Sequence, residues 1–313
     1  MTTITPCLWF NGDAVEAVRF YRTAFDSSAV HDIRYLPTEH SGESPVADDV
    51  PAQRVSTEDD AEAEAVRDVV AIEFEIAGQP IIALNGGERY GFNESISFMV
   101  SFDPSIDPDA AKNLDALWIA LIDGGTASMP LDSYEFSSRY GWLRDRFGVH
   151  WQLNLVDPSG SPRPKVVPSL IFGSHVQNRA REAADFYSSL FDDTEAGVDI
   201  RFEKHSGAAS AESVMFADFR LLNQWFIVMD ATVKHRASFT EAFSFIVSCT
   251  DQAEIDRYWA ALSADPDAER QGWCVDQFGL TWQVTPLNMA ELMSRPGAIA
   301  NMMGMKKLEI ASL

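Results

Sequence analysis

His150 and Gln152 are two residues apart in Val149-His150-Trp151-Gln152, so on a strand both side chains leave the same face. Such a pair could present an imidazole and an amide to one cavity. Thr5, Cys7 and Trp9 share a face by the same parity. Cys7 has no base or helix N-terminus beside it in sequence, so it reads as a small buried hydrophobe rather than a nucleophile. The three cysteines, Cys7, Cys249 and Cys274, have neither metal-binding nor redox spacing, which suits a reducing compartment. His40 and His205 each open a His-Ser-Gly turn. The chain has no Ser/His/Asp signature and no phosphate-binding loop. The close glycine pairs, Gly86-Gly87 and Gly124-Gly125, lack the strand-to-helix context in which a methyl donor such as S-adenosylmethionine is held.

These residues occur in duplicate. The block from Tyr140 to Leu153 returns as Gln271 to Val284, sharing the pattern G-W-x-x-D-x-F-G-x-x-W-Q. Further matches keep the same order: Pro6 to Phe10 with Pro168 to Phe172, Phe20-Tyr21 with Phe186-Tyr187, Gln79 with Gln224, Ser97 to Ser101 with Ser244 to Ser248, and Trp118 with Trp259. The period far exceeds the ~20–50 residues of stacked repeats, so this is a duplicated domain. Each candidate therefore has a counterpart. Gln152 answers to Gln283, Ser97 to Ser244, Cys7 to Ser169 and Trp142 to Trp273, whereas His150 answers to Thr281.

The elements that must position these residues can be read from periodicity. Thr5 to Phe10 is a short apolar strand. Asp13 to Phe25 carries Ala14, Val18, Tyr21 and Phe25 at helical spacing, with Asp13 and Glu16 set as a capping box. Strands follow at His31 to Leu36, Val70 to Ile76 and Pro80 to Leu84, the last two joined as a hairpin. The β-α-β-β-β order then repeats: a strand at Ile96 to Phe102, a helix at Asp109 to Ile122, strands near Ser133 and Trp142, and a last strand at Val149 to Val156. Each half thus reads as two βαβββ modules, an α+β fold whose helices cover one face of a curved mixed sheet and leave the other concave. Trp151 and Trp282 should pack beneath the helices, whereas Trp142 and Trp273 fit core and cavity wall equally.

A chain of 313 residues accommodates two domains, 1–157 and 166–313, joined by a Pro/Gly/Ser-rich linker at 158–165. The C-terminal Met-rich segment, from Met289 to Ile310, reads as a helical tail packed on the sheets or on a second subunit. The net charge of −23 argues against nucleic acid as a partner. Part of that charge lies in an acidic stretch, Asp48 to Asp68, that reads as a solvated loop. No apolar run approaches the ~18 residues of a membrane span. A soluble, cytoplasmic protein is expected.

The paired βαβββ modules, Phe-Tyr followed by Phe-Asp, and D-x-F-G-x-x-W-Q on a last strand resemble the vicinal oxygen chelate superfamily of glyoxalases, bleomycin-resistance proteins and extradiol dioxygenases. Within it the chain is similar to the PhnB-like branch, often labelled "3-demethylubiquinone-9 3-methyltransferase". The tail Met302-Met303-Gly304-Met305-Lys306-Lys307-Leu308-Glu309-Ile310 resembles that branch's ending. The resemblance implies two tandem glyoxalase-like domains. It also implies a divalent metal held by His, Gln or Glu from three strands of each cup. Carried over, the first ligand position falls on Thr5 or Val167, or two residues on at Cys7 or Ser169. The second falls on Ser95 or Ser97, and on Ala242 or Ser244. The last, normally Glu, falls on Gln152 or Gln283. Hydroxyls and neutral amides lack the charge and imidazoles that grip a transition metal.

The reading that follows is a binder of a small neutral organic molecule, without cofactor. Its cups would be lined by Trp9, Trp142 and Trp273, with His150 entering one of them, and Gln152, Ser97, Gln283 and Ser244 would orient the ligand. Modules of the two halves could complete each other's cups, making the chain a pseudo-dimer that could pair further as a homodimer. The alternative is a metal-dependent lyase, isomerase or dioxygenase. A protein-interaction module working through the tail and the acidic loop is a third reading.

Overall fold

The computed structural model describes residues 1–25, 27–35, 69–156, 162–234 and 238–313. The acidic stretch and the His40 turn lie outside them. The first module comprises β1 (Thr3–Phe10), α1 (Ala14–Ala24), β2 (Ser28–Tyr35), β3 (Val69–Ile76) and β4 (Gln79–Asn85), and the second β5 (Ile96–Phe102), α2 (Ala110–Ile122), β6 (Thr126–Tyr134), β7 (Ser137–Arg144) and β8 (His150–Leu155). The second half gives β9 (Val166–Phe172), α3 (Ala180–Leu190), β10 (Thr194–Arg201), β11 (Val214–Leu221) and β12 (Gln224–Asp230), then β13 (Phe243–Cys249), α4 (Gln252–Leu262), β14 (Trp273–Val275) and β15 (Thr281–Pro286). Short helices α5 (Met289–Met293) and α6 (Ala298–Met303) follow.

The strands form two mixed sheets, and each takes one module from each half. The first runs β14-β15-β13-β1-β4-β3-β2 and the second β10-β11-β12-β9-β5-β8-β7-β6. The halves join at antiparallel ladders, β1 with β13 and β5 with β9, where Cys7 stands opposite Ser244 and Ser97 opposite Ser169. Within every module the first strand runs parallel to the last.

One face of each sheet meets the helices in a single continuous core. Leu8, Phe10, Phe74, Phe245 and Trp282 of the first sheet join Phe98, Trp151, Leu153, Phe172 and Phe226 of the second. Rings touch across the sheets, Phe98 on Phe243 at 5.0 Å and Phe226 on Phe245 at 4.9 Å. Gln79 and Gln224, counterparts in the duplication, exchange amide hydrogen bonds of 2.9 and 3.0 Å across the pseudo-twofold relation. The opposite faces of the two sheets are the cups.

The helix starts differ from expectation. Asp13 makes no side-chain cap bond. Instead Asn85, at the end of β4, accepts from the Ala14 N–H, and Asp230, at the end of β12, accepts from that of Ala180. The neighbouring strand caps the helix, a partner 71 residues away that local spacing does not reveal.

Among the described residues the second half has no counterpart of β6, and the tail takes its place. Gln271 and Gly272, just before β14, donate backbone hydrogen bonds to Met305 and Lys306. Gln252 on α4 holds the Leu308 carbonyl and the Ile310 N–H. Leu292, Leu308 and Leu313 are buried with Met289, Met293, Met302 and Met305 around them. The Met-rich segment thus packs on its own sheet edge and masks it. Among the described residues no helix is long and apolar enough to cross a membrane.

Candidate functional site in two unequal cups

The repeated Asp-x-Phe-Gly-x-x-Trp-Gln block builds the wall of each cup around a buried carboxylate. Asp145 Oδ1 accepts from the Phe147 and Val149 N–H groups at 2.8 and 3.0 Å, and Oδ2 accepts from Tyr21 OH and Trp151 Nε1, both at 2.8 Å. Asp276 repeats this with Phe278, Leu280, Tyr187 and Trp282. Burial pushes the Asp145 carboxyl up to about 6, against the pull of hydrogen bonds from Trp151, Tyr21 and the backbone. Burial also raises Asp276. The motif is therefore a clamp that fixes the β7–β8 turn to helix α1, and its Trp151 and Trp282 are core, as their parity predicts. Its Gln side chains leave the other face.

In the second sheet's cup Gln152 is the hub. Its amide donates to Ser97 Oγ at 2.8 Å and reaches Ser169 Oγ at 3.5 Å, and its carbonyl oxygen accepts from Tyr140 OH at 2.7 Å. Met99 lies beside Gln152 across the β5/β8 ladder, Val167 opposite Met99, and Trp142 opposite Gln152 on the other side. The row thus grades from aromatic through polar to apolar, and Val167 and Met99 cluster with Trp225 and Ile227. Arg163, from the linker, lies 4.0 Å over the Trp225 ring and pairs with Asp218. His150 is buried, and burial lowers its pKa to about 4, so the imidazole is neutral over the physiological range. Ser95 precedes β5 on the same face as Ser97, and its N–H is held by Asn93.

The first sheet's cup repeats the hub with a thiol. Gln283 Nε2 donates to Ser244 Oγ at 2.9 Å, with Cys7 against both. Burial raises the Cys7 thiol to about 12 despite hydrogen bonds from Gln283 and Ser244, so it is no nucleophile at neutral pH. Thr5 lies opposite Ile246, and Gln283 beside it in turn. Trp9 donates from Nε1 to the Gly87 carbonyl at 2.8 Å and meets Tyr90 and Trp273 edge-on, with centroids at 5.2 and 5.7 Å. Arg270 covers the rings of Trp273 and Tyr90 and pairs with Glu241.

The two glycine pairs have packing roles. A Cβ at Gly86 would stand 1.9 Å from the Trp9 indole, and one at Gly125 would stand 2.4 Å from the Arg144 carbonyl oxygen. The glycine of the Gly-Trp dipeptide is explained similarly, since a Cβ at Gly141 would come within 2.4 Å of Trp118.

The structure thus groups the candidates across the halves. Thr5, Cys7 and Trp9 share a cup with Ser244, Trp273 and Gln283, and Ser169 shares one with Ser95, Ser97, Trp142, His150 and Gln152. Thr5 does not meet Ser95 and Gln152. His205 lies exposed in a surface turn with no place in either cup. Tyr140, Tyr90, Arg270 and Asn154 escape the sequence reading. For Tyr140 a signal existed, two residues before Trp142 and on its face. The clamp's signal was the repetition of Asp145 as Asp276.

The metal implied by the fold does not suit these donors. Among the described residues no three His, Cys, Asp or Glu side chains converge. The Gln152 carbonyl is engaged by Tyr140, and the remaining donors are neutral hydroxyls, a protonated thiol, the Gln283 amide and one imidazole, His150.

The sequence pattern of the family described as "3-demethylubiquinone-9 3-methyltransferase" matches residues 2–51, 45–154 and 164–285. No curated protein matches the chain. Among solved structures, a putative 3-demethylubiquinone-9 3-methyltransferase, a PhnB protein from Bacillus cereus, is 26% identical, covering 49% of this chain and 98% of its own, with a TM-score of 0.36. A protein from Pseudomonas aeruginosa is 21% identical over 48% of this chain and 93% of its own, at a TM-score of 0.33. A substituted variant of glyoxalase I from Zea mays is 10% identical but covers 93% of this chain and 95% of its own, at a TM-score of 0.52, a likeness of fold. With both halves matched by one family pattern, the chain belongs to the PhnB-like family described as 3-demethylubiquinone-9 3-methyltransferase, as a tandem pair of glyoxalase-like domains.

Proposed function

We propose that this protein binds a small neutral organic molecule in metal-free cups. The observation that carries this reading is the uncharged set around Gln152, whose amide donates to the Ser97 hydroxyl and whose carbonyl accepts from Tyr140 and keeps a second lone pair. A neutral hydrogen-bonding hub on an apolar floor suits a neutral ligand with one or two polar groups. The same groups are weak ligands for a divalent cation. Methyl transfer gains no support from the fold. Both glycine pairs serve packing, and neither opens a helix towards a cofactor.

Elemental analysis of protein purified without chelator tests the metal-free part. Less than a tenth of an equivalent of zinc, nickel, manganese or iron per chain is expected, with melting unchanged by EDTA. One tightly held equivalent per cup would replace this reading with the metal-dependent enzyme.

A further inference from the structure

Among the described residues, three buried side-chain polar atoms have no hydrogen-bond partner in the protein: Trp142 Nε1, His150 Nδ1 and Asn154 Oδ1. All three belong to β7 and β8. They also share a face, since Trp142 stands opposite Gln152 while His150 and Asn154 flank Gln152 at two-residue spacing. That face is the cup of the second sheet. Buried polar groups are nearly always paired, so three orphans on one wall need an explanation. Their counterparts in the first cup, Trp273, Thr281 and Thr285, carry no buried orphan. There the polar groups are turned on one another, Arg270 to Glu241 and Tyr90, and Trp9 to Gly87.

His150 is only 6% exposed, and its ring meets that of Trp142 edge-on at 6.4 Å. An indole N–H donates only, and a neutral imidazole both donates and accepts. Together they match a hydroxyl or amide, which can do both. None of the three orphans is charged, so nothing in the set offsets the desolvation of an ionised ligand. Met99 and Val167, one and two strands beyond Gln152, offer apolar surface in the same row. Asn154 lies four residues along β8 from His150, about 13 Å away, where it would meet the far end of a longer molecule.

We propose that the cup of the second sheet is the ligand-binding cup of the pair. It takes a neutral molecule whose hydroxyl or amide meets Trp142 and His150 and whose apolar body lies over Met99 and Val167. This deepens the reading above and rests on it.

The eight tryptophans allow a direct test by indole 15N–1H resonances, titrated with phenol, benzamide and benzene. Trp142→Phe assigns the Trp142 signal and Trp273→Phe the signal reporting the first cup. Trp151 and Trp282, bound to Asp145 and Asp276, serve as controls of the fold. Saturable movement of the Trp142 signal with phenol or benzamide is expected, at least about tenfold tighter than any movement of Trp273, and tighter than with benzene. His150→Thr, which installs the first cup's residue, should weaken the response about tenfold, the scale of one lost hydrogen bond. His150→Asn, which keeps a polar atom near Nδ1, should restore most of it. Movement of Trp273 alone, or equal movement of both, would overturn the choice of cup and leave small-molecule binding standing. Movement equal for benzene would overturn the polar recognition. No movement of either signal up to probe solubility would overturn both.

Discussion

Asp145 and Asp276 show how a motif that looks chemical can be structural. Each carboxylate gathers two backbone N–H groups, a tyrosine hydroxyl and an indole N–H in the interior. Asp145→Ala strands all four donors, each costing about 1–3 kcal/mol when buried and unpaired. A loss of at least about 3 kcal/mol in urea unfolding is expected. His150 gives a pH signature. Burial depresses its folded pKa to about 4, with Glu94 opposing and Arg144 assisting, while the unfolded chain titrates near the ordinary value of 6.5. Between these values the unfolded state binds more protons, so His150 destabilises the fold progressively as pH falls from 6.5 to 4. Relative to His150→Thr, the native protein should lose about 3 kcal/mol over that window, read from paired melting curves across pH. A constant difference would show that the imidazole binds protons in the fold as readily as in the unfolded chain.

At the scale of elements, the sheets are held together by a few long-range polar devices set in apolar surface. Gln79 and Gln224 satisfy one another between β4 and β12. Gln79→Leu alone leaves its partner's amide half-paired and buried, a cost of about 1–3 kcal/mol, whereas the double change to leucine should be close to neutral. A double-mutant cycle in denaturant checks this, and additive losses would refute it. The tail is a second device. Truncation after Pro286 would expose the backbone groups before β14 and uncover Gln252, so a lower melting temperature and concentration-dependent association are expected by light scattering.

At the scale of the molecule, each cup needs both halves. The floor of the second cup joins Ser169 from one half to Ser97 and Gln152 from the other, and the first joins Cys7 to Ser244 and Gln283. The two halves, produced separately, should therefore not form closed cups as monomers. Mixed or co-produced, they should form a one-to-one complex by size-exclusion chromatography. Stable monomeric halves with native tryptophan spectra would contradict this.

The duplicated block, the parity of β1 and β8, and the alternation of helix and hairpin were legible in the sequence because they are local: period and spacing decide which side chains share a face. They identified the modules and both core tryptophans. Only the tertiary structure decided which module closes which cup, that Asn85 rather than Asp13 caps α1, and that Tyr140 engages the Gln152 carbonyl. These are choices among partners distant in the chain. The two cups read almost alike in one dimension, and they part in three because Trp142 Nε1, His150 Nδ1 and Asn154 Oδ1 are buried without protein partners.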